Sequence, residues 1–252
     1  VSDRSSSTAV DGTLSRIALI TGGSKRLGRH LALSLSRLGY GVVINYRNSQ
    51  KEAEQLATKI ASRGRYARAV RADVGDKVDV ATMFASIEQH EARLDLLINN
   101  VGIYEPERLR DVTPEDWDEC IQSNLNGAFY CCYHARPLLE QTRGQIINIG
   151  YAGVDALVAN PWATAYQVSK TGLLVLTKSL GEALAPEVRV NMVSPGQLEN
   201  SVDLPQDLPG TIPMARAGTL NDIAKAVEYL LDADYVTGVN LDVAGGYRLG
   251  GN

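Results

Sequence analysis

Cysteine is scarce in this chain, and no apolar run approaches the ~20 residues that cross a bilayer. The three cysteines, Cys120, Cys131 and Cys132, have neither metal-ligand spacing nor a paired framework. They read as buried thiols of a reducing compartment, and no metal site is expected. Residues 1–13 lack the apolar core of a secretion signal, so a soluble, cytoplasmic protein is expected, with residues 1–14 a flexible tail. A basic footprint is also missing. The net charge is −4, and Lys and Arg are scattered among Asp and Glu, which leaves nothing to grip nucleic acid. Small molecules, or copies of the chain itself, are the partners that remain. No internal repeat or low-complexity block is present.

What is present is alternation. The 252 residues, 44% hydrophobic, suffice for one α/β domain over residues 15–252. Arg16-Ile17-Ala18-Leu19-Ile20 is a short apolar run that ends in Thr21-Gly22-Gly23, and apolar residues at helical spacing follow from Leu27 to Leu38. Strands are then expected over residues 41–46, 67–72, 94–99, 145–149, 188–193 and 239–243. Helices fall between them at 50–62, 77–90, from 113 toward 142 with a break near 124–127, at 163–185 and at 219–231. This pattern predicts a Rossmann-type doubly wound parallel sheet of about seven strands with helices on both faces. Its ligands would bind at the carboxyl ends of the strands. Residues 197–213 have no clear period and read as a lid over the substrate.

The turn Gly22-Gly23-Ser24-Lys25-Arg26-Leu27-Gly28 joins the first strand to the first helix, where backbone amides and the helix dipole can hold a pyrophosphate. After the second strand comes Tyr46-Arg47-Asn48-Ser49. A carboxylate there would hold the ribose hydroxyls of NADH, whereas a basic residue accommodates the additional phosphate of NADPH. Arg47, with Ser24, Lys25 and Arg26, therefore predicts NADPH. Asp73, followed by Val74, could accept from the adenine amino group or serve as a turn residue.

Tyr166 and Lys170 stand four positions apart in the long helix, on one face. An ammonium beside a phenol favours the phenolate, so Lys170 would bring Tyr166 from its reference near ~10 toward the range of a working general acid.

Taken jointly, Thr21-Gly22-x-x-x-Arg26-x-Gly28, Asn99-Asn100-Val101-Gly102, Asn124, Tyr166-x-x-x-Lys170 and Pro195-Gly196 resemble the short-chain dehydrogenase/reductase family from about Arg16 to Tyr247. The resemblance implies that Tyr166 protonates the substrate and that Lys170 binds the nicotinamide ribose. It further implies that Asn124 holds a relay water, that Asn99 and Asn100 support the central strand and touch the adenosine half, that Val101 and Gly102 also bind the cofactor, and that Pro195, Gly196 and Asn200 face the nicotinamide. Homotetramers or homodimers are common in the family, built from helices such as those over residues 125–142 and 163–185.

One position departs from the family. The usual serine, thirteen places before the tyrosine, is Gly153 here, and counting forward from the strand reaches Tyr151 instead. Tyr151 could donate to the substrate carbonyl, with Asp155 a second candidate. Within the family, Lys25-Arg26-Leu27-Gly28 is similar to the pteridine reductases, and Tyr104 falls where those enzymes stack a flat ring. A pterin-like planar substrate is thus the first expectation. The alternative is a small ketone, sugar or 3-oxoacyl thioester, and a non-catalytic NADPH-binding sensor is the reading from another class.

Overall fold

The computed structural model describes residues 16–201 and 204–247. The expected N-terminal tail lies outside these residues, as do Val202 and Asp203 of the expected lid. Seven parallel strands form one sheet in the order β3-β2-β1-β4-β5-β6-β7. They are β1 (Ile17–Ile20), β2 (Gly41–Tyr46), β3 (Ala67–Arg71), β4 (Leu96–Asn99), β5 (Gln145–Ile149), β6 (Arg189–Pro195) and β7 (Asn240–Val243). Strands β1, β2, β4 and β5 are buried along their whole length, which is why they read as continuous apolar runs. The chain order reverses between β1 and β4, and this switch opens a crevice at the carboxyl edge.

Helices α1 (Arg26–Arg37), α2 (Gln50–Ala61) and α3 (Lys77–His90) connect the first four strands. Two cores result. Ile20, Leu31, Leu35, Ile44 and Val227 belong to one, while Leu19, Met83, Ile87, Leu97 and Leu139 belong to the other. Helix α4 (Pro114–Ile121) begins in a capping box, with the Thr113 side chain on the Asp116 amide and the Asp116 carboxylate on the Thr113 amide. The break expected near residues 124–127 is a wider, π-type turn over Gln122–Asn126, after which α5 (Gly127–Thr142) continues. Then come α6 (Thr164–Ala183), the single turn α7 (Leu208–Thr211) inside the expected lid, and α8 (Leu220–Asp232), which has its own capping box at Thr219.

Boundaries differ from expectation by one residue at β1, β3 and β7, and further at β4 and β6. β4 begins at Leu96 rather than Leu94, because the Asp95 carboxylate, gripped by Arg93, takes the Ile17 amide at 2.7 Å. β6 runs on to Pro195, and β7 begins at Asn240. A 3₁₀ turn at Val154–Ala156 had no counterpart in the sequence pattern.

A line of amides crosses the buried centre of the sheet. Asn99 Nδ2 on β4 donates to Asn148 Oδ1 on β5 at 2.8 Å, and Asn148 Nδ2 donates to Thr177 Oγ1 on α6 at 2.9 Å. The Thr177 hydroxyl donates in turn to the Leu173 carbonyl at 2.7 Å. Burying these groups is tolerable only because each donor finds its acceptor. The line joins the middle of the sheet to the helix that carries Tyr166 and Lys170.

Candidate active site

Two clefts open along the carboxyl edge and meet at Gly102. The first is built on the turn between β1 and α1. Gly22 has a φ of +59°, and the Asn45 side chain accepts from its amide at 3.1 Å. Asn100 fixes the other side of the turn, donating to the carbonyls of Thr21 at 2.9 Å and Gly22 at 3.3 Å. At Gly28 a Cβ would stand 2.4 Å from the Gly22 carbonyl oxygen, so only glycine allows the helix this close to the turn. Lys25 caps α1 with no side-chain bond, and the first turn holds no acidic residue. The amides at this end of the helix are thereby left to an anion, which fits a pyrophosphate.

Ser24, Lys25, Tyr46, Arg47, Asn48, Ser49, Asp73, Val74 and Val101 line this first cleft, of about 300 Å³. Ser24 and Ser49 share a hydroxyl hydrogen bond of 2.7 Å. Each cation already has a carboxylate partner: Lys25 meets Glu52 at 2.8 Å, and Arg47 meets Asp73 at 3.3 Å and Glu119 at 3.9 Å. Such exposed pairs are weak, and an incoming phosphate would compete for both cations.

Arg26 does not line the first cleft with Lys25 and Arg47. It lies with Asn200 in an adjoining hollow that shares Leu27, Gly102, Tyr104, Leu198 and Ser201 with the second cleft. Arg26 has a φ of +46° at the start of α1.

The second cleft, of about 290 Å³, holds the residues with chemistry. Helix α6 presents Tyr166, Gln167 and Lys170 to it, and Pro195 and Gly196 form part of its wall. Lys170 is buried and donates to the Ile149 carbonyl at 2.8 Å, with its Nζ 5.9 Å from the centre of the Tyr166 ring. Burial brings the Lys170 pKa down to about 8, partly opposed by Cys120. The Tyr104 ring meets Tyr166 edge-on at 5.0 Å, and the Tyr151 ring stands 5.7 Å from it.

The backbone explains why Tyr151, and not Gly153, reaches the site. Strand-like pairing continues past β5, with the Gly150 amide on the Val193 carbonyl and the Ala152 amide on the Pro195 carbonyl, both at 2.8 Å. Gly153 then turns at a φ of +80°, and its amide donates to the Asp242 carboxylate at 3.2 Å. Buried Val154 anchors the 3₁₀ turn that follows, and Asp155 is thrown outward. Asp155 is therefore exposed and does not line the cleft, contrary to its place as second candidate donor.

Asn124 sits in the π-type turn and clamps the chain after β4. Its Oδ1 accepts from the Ile103 amide at 2.7 Å, and its Nδ2 donates to the Ile103 carbonyl at 3.0 Å and to Ser169 Oγ at 3.2 Å. This clamp sets Gly102 and Tyr104 in the cleft. Ser169, Asn160, Gln167, Gln197 and Tyr247 belong to the site or its frame, and the sequence reading missed them. Ser169 and Gln167 carried a signal only in being beside Lys170 and Tyr166 on the same helix.

A family profile described as enoyl-(acyl carrier protein) reductase, within the short-chain dehydrogenase/reductase group, matches residues 23–248. The chain belongs to the short-chain dehydrogenase/reductase family. It is an oxidoreductase of that type. The 3-oxoacyl-[acyl-carrier-protein] reductase FabG of Staphylococcus aureus is 35% identical over 92% of this chain and 98% of its own. An uncharacterized Escherichia coli oxidoreductase, YgfF, is 35% identical over 91% of this chain and 99% of its own. Among solved structures, a blue fluorescent protein from a metagenomic library in complex with NADPH superposes with a TM-score of 0.86 at 28% identity, covering 93% of this chain and 98% of its own. A gluconate 5-dehydrogenase from Burkholderia cenocepacia, in complex with NADP and tartrate, gives 0.84 at 29%, covering 92% and 95%. Among the described residues, no helix is long and apolar enough to cross a membrane.

The lysine of this family member gives a pH prediction. Its pKa of about 8 in the folded protein lies below the ~10.4 of an unfolded chain, so the unfolded state binds more protons between these values. Stability of the cofactor-free protein should therefore gain a rising contribution as pH increases from about 8 toward 10. Below that window the cost of burying the ammonium is fully felt. Comparing melting temperatures of wild type and Lys170→Met across the window checks this, because the variant should lack that rise.

Proposed function

We propose that the chain is an NADPH-dependent carbonyl reductase, and that its substrate is a 3-oxoacyl thioester or a similar aliphatic ketone. One observation carries the reading: Tyr166, Lys170 and Tyr151 converge on a cleft whose lining, among the described residues, includes no carboxylate. The amino-pyrimidinone edge of a pterin donates several hydrogen bonds and would be matched by such an acceptor. A ketone needs only donors at its oxygen. The 35% identity to a 3-oxoacyl-[acyl-carrier-protein] reductase supports the same order of substrates.

NADPH would supply the hydride when bound. The binding residues in this reading are the α1 amides, Gly22, Ser24, Lys25, Leu27, Arg47 and Ser49 at the phosphate and ribose end, with Lys170, Pro195 and Gly196 at the other. NADPH in one structural neighbour and NADP in another support the choice of cofactor. In the second cleft, Tyr151 donates a hydrogen bond to the substrate oxygen and Tyr166 delivers the proton that completes reduction. Lys170 holds positive charge beside the Tyr166 ring, which favours release of that proton. Asn124 fixes the segment that sets Tyr104 against the ligand.

A pterin-like substrate of the pteridine-reductase branch is the second reading. Tyr104 favours it, since its ring lies 5.0 Å from that of Tyr166, where it can cover a planar ligand. Assembly into a dimer or tetramer is part of both readings, supported by Phe129, Tyr133, Val168 and Val175, which lie exposed on α5 and α6.

The test is NADPH oxidation with 3-oxoacyl thioesters, simple ketones and dihydropterins. Thioesters and ketones should be turned over; activity on dihydropterins alone would reverse the order. Tight NADPH binding with no turnover of any substrate would make the protein a sensor. Arg47→Asp should raise the KM for NADPH about tenfold or more, equivalent to about 1.4 kcal/mol, and improve use of NADH.

A further inference from the structure

Between the Gly153 turn and α6, the chain makes an apolar shelf at the rim of the second cleft. Leu157 is 72% exposed, Val158 55% and Trp162 52%, and Leu109 from the facing segment is 48% exposed. Leu157 is also held at a φ of +52°, a conformation that costs a branched side chain energy. Exposed apolar side chains grouped on one segment need an explanation beyond scattered surface hydrophobics.

The shelf is fastened and not loose. The Leu109 amide donates to the Pro161 carbonyl at 2.8 Å, and the Arg108 guanidinium lies 4.4 Å from the centre of the Trp162 ring. From the other side, the Gln167 amide group donates to the Val158 carbonyl and accepts from the Asn160 amide at 3.1 Å. Gln167 follows Tyr166 on α6, and both Gln167 and Asn160 line the cleft. The segment carrying the shelf is thus tied by Gln167 to the wall of the cleft that holds Tyr166.

We propose that Leu157, Val158, Trp162 and Leu109 bind the aliphatic tail of the substrate beyond its reacting carbonyl, so that chain length is what this enzyme selects. The proposal rests on the carbonyl-reductase reading and names the part of the substrate which that reading leaves open. An aliphatic tail is the occupant that fits. Trp162 precedes Ala163, which lines the cleft, the exposed side chains are apolar, and the neighbouring Arg108 and Arg110 are engaged by Trp162 and Asp111. Burying methylenes along it would favour long substrates over short ones by a factor that grows with each group covered.

The experiment compares kcat/KM for 3-oxobutanoyl and 3-oxododecanoyl thioesters of coenzyme A, in wild type and in Leu157→Ser/Trp162→Ala. The expected result is a long-to-short ratio well above one in wild type that falls about tenfold in the variant, corresponding to loss of roughly two covered methylenes. The ratio corrects for any general loss of folded enzyme. An unchanged ratio overturns the proposal, and so does an unchanged ratio joined to a lower oligomeric mass by light scattering, which would make the shelf a subunit contact. A second measurement depends neither on turnover nor on a tryptophan probe: isothermal titration calorimetry of the NADP-loaded wild type and double variant with butanoyl and dodecanoyl coenzyme A. If no 3-oxoacyl thioester is reduced, the functional reading fails. Tighter dodecanoyl binding, lost in the double variant, would still support the shelf, and equal binding of the two chains would overturn it.

Discussion

Tyr166→Phe should lower kcat by about 10²- to 10⁴-fold, the usual contribution of a positioned general acid. The phenylalanine ring keeps the contacts to Tyr104 at 5.0 Å and Tyr151 at 5.7 Å, so the fold and the cleft should survive. Only the hydroxyl is removed. NADPH affinity should therefore stay close to that of wild type, because the turn at Gly22 and the residues around Arg47 are untouched. Single-turnover kinetics with a fluorescence titration of NADPH separate the two effects. Near-normal turnover in a folded variant would remove Tyr166 from the chemistry and with it the proposed mechanism.

Tyr151→Phe is expected to cost about 10²- to 10³-fold in kcat, typical of losing one donor to a developing oxyanion. The effect should fall on kcat more than on KM, since the hydrogen bond strengthens as negative charge builds on the substrate oxygen. Two phenols so close also raise the question of which one delivers the proton. The relative size of the two single losses bears on that, and the double variant tests whether the phenols act as a unit. If one phenol donates the proton and the other only stabilises the oxygen, the two losses should fall short of adding, because residues acting as a unit are not independent. Full turnover in Tyr151→Phe would leave Tyr151 as a packed aromatic.

Much of the architecture was legible because its physical causes are local. Buried strands such as residues 41–46 and 145–149 are mainly apolar runs, and Thr113 and Thr219 each announce a helix through a hydroxyl followed three places later by an aspartate. The neighbourhood of Tyr166 and Lys170 was legible for the same reason, since helical spacing fixes their shared face. Arg26 was not. That it lies beside Leu198 and Asn200 and not with Lys25 and Arg47 is a matter of tertiary packing, which composition does not reveal. Asp155 and Gly153 depend on a contact to Asp242, 89 residues from Gly153, and no local pattern encodes it. The same holds for Asn200, whose position follows from how the segment after β6 folds back, with Leu198 bridging to Gly218.

The row of amides from Asn99 through Asn148 to Thr177 has an evolutionary consequence. Exchanging these groups for well-packed hydrocarbon could leave the protein as stable as before or more so. It would, however, remove the hydrogen bond from Asn148 to Thr177 that helps set the register of α6 against the sheet. A screen for thermostable variants would then be free to accept changes at Asn148 or Thr177 that a screen for turnover rejects. Disagreement between the two screens at these buried positions, far from any ligand, would be the mark of a core that spends cohesion on aim.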